Sequence, residues 1–254
     1  MTPVFRSFTE AYPSIVKLVL MHGTPCSPRG LDCVELLNLA WTLEDAREWE
    51  MDFSKTGFPD RQKTYDRYRQ NETAWYIGGS LRAADAPAEF WRTLADKDGY
   101  IQSNYGWMTM HDRRYPGGVT GFDRVVDVLT RDPDSRQAVM HYGLPLNFCG
   151  HKDTPCTIAA QVFIRGGKLH MSVFQRSCDL WIGLPYDVAW HAEVMARLAR
   201  RLEAEPVRFL RTGENPKVTV GSFTHFVGSA HVYESTRAQC ELIAAPPSLS
   251  VGVI

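Results

Sequence analysis

The sequence lacks a long apolar run, because no stretch approaches the roughly 18 to 20 hydrophobic residues that cross a bilayer. Its first residues also lack the basic, then apolar, then small-residue order of a secretion signal. Neither sign of charge dominates, since 28 Lys and Arg stand against 29 Asp and Glu. A general nucleic-acid or membrane binder would need a basic excess, so we expect neither as a partner.

Cysteine is scarce too, with 6 residues in 254. They are Cys26, Cys33, Cys149, Cys156, Cys178 and Cys240. No two of them have the Cys-x-x-Cys spacing of a zinc site, so we expect no metal. They are too sparse for a disulfide scaffold, and a chain of this length buries enough surface to fold without one. We therefore expect a cytoplasmic protein in which most cysteines are small buried apolar groups.

The chain has no repeat, low-complexity tract or Ser/Gly linker that would divide it, so we expect a single domain over residues 1–254. Apolar residues at helical spacing predict a helix over 5–20, ended by Gly23, and another over 187–203. The polar stretch 52–71 is interpreted as a helix or an exposed insertion. No GxGxxG or GxxxxGK[ST] loop occurs, which argues against Rossmann and P-loop folds.

The second half of the sequence contains patterns typical of β-strands. Two β-branched runs within 158–173 flank Gly166-Gly167, which predicts a hairpin because glycine accepts the positive φ of such a turn. Residues 218–233 have the pattern of strands interrupted at Gly221 and Gly228, where we expect a bulge or bend. Together these elements predict an α+β fold with a mixed or mostly antiparallel sheet flanked by helices.

Unusual chemistry is concentrated in residues 153–157, 175–187 and 231–233. Cys156 follows a proline at the start of the predicted hairpin, a position that is more often structural than catalytic. It would become a nucleophile if a nearby cation favoured its thiolate. Arg176 would supply that charge if the returning hairpin strand brought it back beside Cys156. The residues alone leave both interpretations open.

These segments resemble the thymidylate synthase superfamily. The most specific match is Gln-Arg-Ser-Cys-Asp at 175–179, followed by Gly-Leu-Pro at 183–185. Further matches follow the family's order: Pro28-Arg29-Gly30, the segment 72–79 that begins with Glu72, 131–136, Pro155-Cys156 with Gln161, and His231-Val232-Tyr233. The resemblance spans about residues 20–235 and implies that family's α+β domain, paired through its sheet into a homodimer.

The resemblance also implies a reaction. The thiolate of Cys156 would add to C6 of a pyrimidine nucleotide, and C5 would then attack the one-carbon unit of 5,10-methylenetetrahydrofolate, the co-substrate. Loss of the C5 proton and release of tetrahydrofolate would leave an exocyclic methylene. Glu72 is implied as the residue that orders and deprotonates water and assists proton movement at N4.

The same match implies the binding residues. Arg29, Arg176 and Ser177 are implied at the phosphate, with Arg136 lent by the partner subunit, since planar guanidinium groups suit phosphate oxygens. Gln137 stands where the family often has another arginine, which implies a weaker or differently built phosphate site. The other implied substrate residues are Gln175, Asp187, His231 and Tyr233, the last two at the sugar hydroxyl. The implied folate residues are Trp91, Asp179 and Gly183.

Asp187 departs from the family pattern. In thymidylate synthases this position holds an asparagine, whose amide accepts from uracil N3–H and donates to O4. A carboxylate cannot donate to O4 but accepts well from cytosine N4, and a proton on cytosine N3 or on the carboxyl makes that contact bidentate. Drift from Asn to Asp would instead leave a buried charge facing uracil O4. The substitution therefore favours cytosine over uracil.

The same substitution occurs in deoxycytidylate hydroxymethylases, typically virus-encoded, in which water rather than a hydride finishes the reaction. Thr157, in place of the histidine common in thymidylate synthases, supports a different final step. The resemblance thus implies hydroxymethylation of dCMP, in the host cytoplasm if the enzyme is viral. The alternatives are a dCMP methyltransferase, a CMP hydroxymethylase, against which Ser177 argues weakly, and a silent nucleotide- or RNA-binding relative. The set of Cys156, Glu72 and Arg176 argues against the silent relative.

Overall fold

The computed structural model describes residues 2–143, 152–204 and 217–245, and within them one mixed sheet of seven strands forms the centre of the molecule. Its strands are β1 (Val4–Phe5), β2 (Thr24–Cys26), β3 (Cys33–Leu43), β4 (Val139–His141), β5 (Thr157–Arg165), β6 (Lys168–Asp179) and β7 (Thr219–Tyr233). The order is β1-β3-β7-β6-β5-β4, with β2 paired to β3. Only the β1–β3 and β6–β7 pairs of these described strands are parallel.

The α-helices of the described residues are α1 (Phe8–His22), α2 (Pro59–Gly78), α3 (Glu89–Leu94), α4 (Gly121–Arg131), α5 (Leu184–Ala204) and α6 (Arg237–Ala244). The predicted helices at 5–20 and 187–203 are confirmed as α1 and α5. Ser7 caps α1 by accepting from the N–H of Glu10, and Gly23 ends it. The polar stretch 52–71 contains a 3₁₀ turn and the first part of α2. The prediction of an α+β fold with a mixed, helix-flanked sheet is confirmed.

The predicted hairpin is confirmed as β5–β6, with Gly166 and Gly167 at φ 56° and 71°. The prediction of interrupted strands over 218–233 is wrong, because β7 is a single strand. Gly221 does lie in a bulge, since the β6–β7 register shifts there. At Gly228 the register continues, and glycine is needed because a Cβ would lie 2.8 Å from the carbonyl oxygen of Arg176.

Helices α1 and α5 pack on one face of the sheet. Alternate residues of β6 point into that core, and Leu169, Met171 and Val173 are buried there. On the opposite face, Phe174 of β6 and Phe226 of β7 stack with ring centroids 5.1 Å apart and stay partly exposed. The fold therefore leaves an apolar patch on one side of its sheet. No helix among the described residues is long and apolar enough to cross a membrane.

Most of the cysteines within the described residues are buried, as predicted. Cys33, Cys178 and Cys240 are buried thiols, while Cys26 and Cys156 are partly exposed; Cys149 lies outside the described residues. The sulfur atoms of Cys26 and Cys33 lie 3.3 Å apart, where β2 pairs with β3. This contact closes the base of the loop that carries Pro28-Arg29-Gly30.

Two histidines are completely buried in the core. His191 of α5 and His225 of β7 both pack against the ring of Phe223, with ring centroids 6.1 and 5.7 Å away. Burial lowers the pKa of His191 to about 4 and that of His225 to about 3, because neither imidazolium could be hydrated. Both rings are therefore neutral in the folded protein at neutral pH.

We expect these two histidines to lower the free energy of unfolding as the pH drops from 7 to 5. The unfolded chain protonates these histidines below a pKa near 6.5, whereas the folded protein does not, so protons stabilise the unfolded state. Each buried histidine should account for roughly 2 kcal/mol of the loss at pH 5. Urea denaturation at both pH values measures it. On going from pH 7 to pH 5, His225→Phe should gain roughly 2 kcal/mol of stability relative to the original protein, whereas His22→Gln, at an exposed position, should not; equal pH dependence in both variants would contradict this assignment.

Candidate active site

Two adjoining cavities meet where β6, α2 and the start of α5 come together. The arginine cavity, about 480 Å³, is lined by Arg29, Asp153 and Arg176 among others. The aromatic cavity, about 410 Å³, is lined by Glu72, Asp187 and a group of aromatic rings. Four residues line both: Phe90, Trp91, Tyr105 and Cys156. A ligand with an anionic part and a flat aromatic part could thus occupy both cavities and contact Cys156.

The β5–β6 hairpin brings Arg176 back beside Cys156, as predicted. The guanidinium Nη2 lies 3.8 Å from the sulfur of Cys156, and the backbone N–H of Arg176 donates to the carbonyl of Cys156 at 2.8 Å. The same side chain donates to the carbonyl oxygens of Thr154 and Pro155, at 2.8 and 2.9 Å. The arginine therefore holds the loop before β5 as well as placing a positive charge at the thiol.

The thiol of Cys156 is protonated at neutral pH in the unliganded protein. Burial raises its pKa to about 11, Arg176 and Arg29 oppose that rise, and the negative charges of Asp187 and Asp153 add to it. Any reaction at this sulfur therefore requires a change that favours the thiolate while a ligand is bound.

Asp187 lies in the first turn of α5 and faces the aromatic cavity. Its Oδ2 accepts a hydrogen bond from Nε2 of Gln175 at 2.8 Å, and the sulfur of Cys178 lies 3.9 Å from the same oxygen. Burial raises the pKa of Asp187 to about 7, although both donors favour the ionised form. Near neutral pH this carboxyl can therefore gain or lose a proton at little cost.

Glu72 faces the same cavity from α2 and is buried. Its Oε1 accepts from the hydroxyl of Tyr68 at 2.8 Å, and that hydroxyl accepts from Nε1 of Trp91 at 2.8 Å. Burial raises the pKa of Glu72 to about 8, and the charge of Asp187 acts in the same direction. Two carboxyl groups with raised pKa values in one cavity are typical of an acid–base site.

Asp179 presents a free acceptor to the aromatic cavity. Its Oδ1 accepts from the backbone N–H groups of Trp181 and Ile182, at 2.8 and 3.1 Å. Its Oδ2 is buried and has no partner among the described residues, and burial raises the pKa of this carboxyl. The chain turns tightly after Asp179, and glycine is needed at position 183 because a Cβ there would lie 2.9 Å from the carbonyl oxygen of Asp179. An unpartnered buried oxygen of this kind points to a donor on a ligand.

The cavities collect most of the predicted site residues. Those that line one or both cavities are Arg29, Glu72, Trp91, Cys156, Gln175, Arg176, Ser177, Asp179, Gly183 and Asp187. Those that line neither cavity are Arg136, His231 and Tyr233. His231 lies next to Asp179 in the β6–β7 pairing, and its ring contacts that of Tyr233 at the end of β7. Arg136 is exposed just before β4, so within this chain it is separate from the other arginines of the site.

Comparison with known proteins identifies the family. The chain matches the family described as thymidylate synthase over residues 10–245. The chain belongs to the thymidylate synthase family. It is 34% identical to deoxycytidylate 5-hydroxymethyltransferase of Enterobacteria phage T6 over 177 aligned residues. The aligned region covers 66% of this chain and 67% of that protein. The enzymes of the same name from phages T4 and T2 give the same values. The predicted family, and an enzyme of this kind, are confirmed.

Some residues of this family member's site were not predicted from its sequence. The hydroxyl of Tyr105 accepts from the backbone N–H of Thr157 at 3.0 Å, and Asp153 accepts from Oγ of Ser103 at 2.6 Å. Both contacts join distant segments, so no local pattern signals them. Tyr68 could have been found, because it precedes Glu72 by one helical turn. Among the described residues, no group of three or more His, Cys, Asp or Glu side chains is arranged to hold a metal ion.

Arg176→Gln should raise the pH at which Cys156 becomes reactive, because the neutral side chain no longer favours the thiolate. The rate of alkylation by iodoacetamide, followed against pH by peptide mass spectrometry, gives the midpoint for each variant. Arg165→Gln, at the exposed end of the same hairpin, is the matched control and should leave the midpoint unchanged. A midpoint in Arg176→Gln at or below that of the original protein would show that the arginine does not act on the thiol.

Proposed function

We propose that this family member transfers a hydroxymethyl group to C5 of dCMP, using 5,10-methylenetetrahydrofolate and water, through a covalent adduct between Cys156 and C6. The products are 5-hydroxymethyl-dCMP and tetrahydrofolate. The observation on which this rests is the buried carboxyl of Asp187, which faces the aromatic cavity beside Cys156. The similarity of the chain to phage enzymes named deoxycytidylate 5-hydroxymethyltransferase supports the same substrate.

Cytosine and Asp187 can share one proton. With the proton on the carboxyl, the acid donates to cytosine N3 and accepts from N4; with the proton on N3, the carboxylate accepts from both. The contact is bonding in either case, and the pKa of about 7 for Asp187 keeps both forms accessible near neutral pH. Uracil offers N3–H and an O4 acceptor, so it is bound well only by the protonated form, and the carboxylate repels O4.

Sharing of that proton also prepares Cys156 for attack. A proton on N3 makes C6 of the base more electrophilic. With that proton on either partner, the pair of cytosine and Asp187 is uncharged overall, which offsets the negative charge that raises the pKa of the Cys156 thiol. Arg176 and Arg29 then act unopposed by Asp187 in favouring the thiolate, while their guanidinium groups hold the phosphate. Ser177 would join them at the phosphate, and His231 and Tyr233 would contact the sugar.

The aromatic cavity fits a folate. Its rings offer flat surfaces, and the unpartnered Oδ2 of Asp179 can accept from a pterin N–H. When bound, 5,10-methylenetetrahydrofolate supplies the one-carbon unit. Trp91 would pack its ring face on the folate, because its indole N–H is already donated to Tyr68. Gly183 lets the chain approach the cavity closely. Glu72, in the same cavity, would deprotonate the water that completes the reaction.

The working unit we propose is a homodimer that acts in the cytoplasm, where Cys156 stays reduced. The exposed stacked rings of Phe174 and Phe226 offer an apolar sheet face to a second copy. Arg136 is exposed and lines neither cavity of its own chain. Across such an interface it would reach the phosphate site of the partner.

Product analysis tests the proposed function directly. The protein is incubated with methylenetetrahydrofolate and dCMP, CMP or dUMP, and product mass and dihydrofolate absorbance are followed. We expect 5-hydroxymethyl-dCMP with no dihydrofolate signal, and no activity in Cys156→Ser. A methylated product with dihydrofolate would establish the methyltransferase instead, preference for CMP would establish the ribonucleotide enzyme, and absence of any turnover would favour the silent relative.

Asp187→Asn should lower kcat/KM for dCMP by about 100-fold, because an amide donates to O4 but cannot share a proton with cytosine N3. The ratio of dUMP to dCMP turnover should rise in the same variant. Steady-state kinetics with both nucleotides measure the change, and Asp127→Asn, at an exposed position of α4, is the matched control. Unchanged nucleotide preference in Asp187→Asn would remove the role given to this carboxyl.

Mixing two impaired variants tests the shared phosphate site. Arg136→Ala and Cys156→Ser should each be nearly inactive as homodimers. After unfolding and refolding together, about half of the dimers are mixed, and each has one intact site made of Cys156 from one chain and Arg136 from the other. Activity should therefore return to about a quarter of the original value. No recovery, with mixed dimers present by native mass spectrometry, would place Arg136 outside the partner's site.

A further inference from the structure

The hydroxyl of Tyr68 joins Trp91 to Glu72 in a hydrogen-bond chain of fixed direction. An indole N–H can only donate, so at 2.8 Å from Nε1 of Trp91 the tyrosine oxygen must accept. Its single proton is then left for Oε1 of Glu72, also at 2.8 Å. Glu72 accepts this bond best as a carboxylate, since hydrogen bonds to an ionised acceptor are the stronger kind.

We propose that Tyr68 is a positioning residue that favours the ionised form of Glu72 and aims it at the water of the final step. This inference rests on the proposed function of Glu72 as the base. Tyr68 itself keeps its proton, because burial and the adjacent glutamate hold its pKa far above the usual range. It acts through Glu72 and does not exchange a proton in the reaction.

The packing around Tyr68 fixes the position of its side chain. It lies one helical turn before Glu72 on α2, the spacing at which side chains of a helix meet. The ring of Tyr186, from α5, packs on it edge to face with centroids 4.7 Å apart. The ring of Tyr68 is therefore held by that of Tyr186, and its oxygen by Trp91 and Glu72.

The surroundings of Glu72 explain why it needs such a donor. Burial raises its pKa most, the charge of Asp187 adds to that, and the hydrogen bond from Tyr68 is the largest opposing influence. The other titratable groups that face the cavity from the neighbouring elements are Tyr76, Tyr105, Cys156, Cys178, Asp179 and Tyr186. Tyrosine, cysteine and aspartate side chains carry no positive charge in any protonation state, so none of these groups can replace Tyr68 in favouring the carboxylate.

Carboxyl titration tests the proposal without any substrate. The protein is labelled with ¹³C at glutamate side-chain carboxyls. The resonance of Glu72 is identified as the one that is missing in Glu72→Gln, and its chemical shift is followed against pH. We expect the midpoint to rise by about one pH unit in Tyr68→Phe, the value of one lost hydrogen bond. Tyr65→Phe removes a hydroxyl from the same helix whose contact is the carbonyl of Pro185, and it should leave the midpoint unchanged. An unmoved midpoint in Tyr68→Phe would overturn the proposal.

The pH profile of dCMP turnover adds a kinetic readout. In Tyr68→Phe the acidic limb of kcat should move upward by the same amount, so that activity falls about tenfold below both midpoints and recovers at higher pH. A merely structural loss would lower kcat equally at all pH values, and that result would overturn the proposal. If the original protein turns over no dCMP while the titration still shows the shift, the proposed function fails and the Tyr68–Glu72 coupling stands.

Discussion

Desolvation of two carboxyl groups in one cavity is the constraint on which the site depends. Glu72 on α2 and Asp187 on α5 are both removed from water, and burial raises their pKa values to about 8 and about 7. The charge of Asp187 disfavours that of Glu72, so this pair holds one negative charge more easily than two. Tyr68 and Gln175 each donate to one of the two groups, which limits the cost of keeping them buried.

A single hairpin brings the nucleophile and two of its partners to those carboxyl groups. Its first strand begins directly after Cys156, and its second strand carries Gln175 and Arg176 back to that point. The thiol, its cation and the donor that orients Asp187 therefore depend on one turn at Gly166-Gly167. The helices α2 and α5 then close the cavity from either side with tyrosine rings. The positions of Cys156, Arg176 and Gln175 relative to one another are therefore set by local strand pairing rather than by distant packing.

The sequence allowed the hairpin and its consequence to be predicted, because a Gly-Gly turn between two β-branched runs fixes which residues return together. It did not allow the exact pairing, since a bulge at Thr157/Ala159 shifts the register and places Gln175 opposite Thr157. Nor did it predict that Trp91 donates to Tyr68, because that contact depends on how α3 packs on α2. The interruption expected in β7 was wrong for a related reason: a glycine in a strand can mark close approach of a neighbouring backbone, as at Gly228, without breaking the strand.

Aspartate at position 187 changes more than a hydrogen-bond pattern. An amide there would be uncharged at every pH, whereas the carboxylate raises the pKa of both Cys156 and Glu72. In the proposed reaction, one proton taken up from solvent and shared between cytosine N3 and Asp187 neutralises that charge, so the thiolate is favoured only once the correct base is bound. The same neutralisation favours the ionised form of Glu72 that the water step needs. Recognition of cytosine, activation of Cys156 and proton removal by Glu72 are then linked through one proton. A ligand that fills the cavity without sharing that proton leaves Cys156 a thiol.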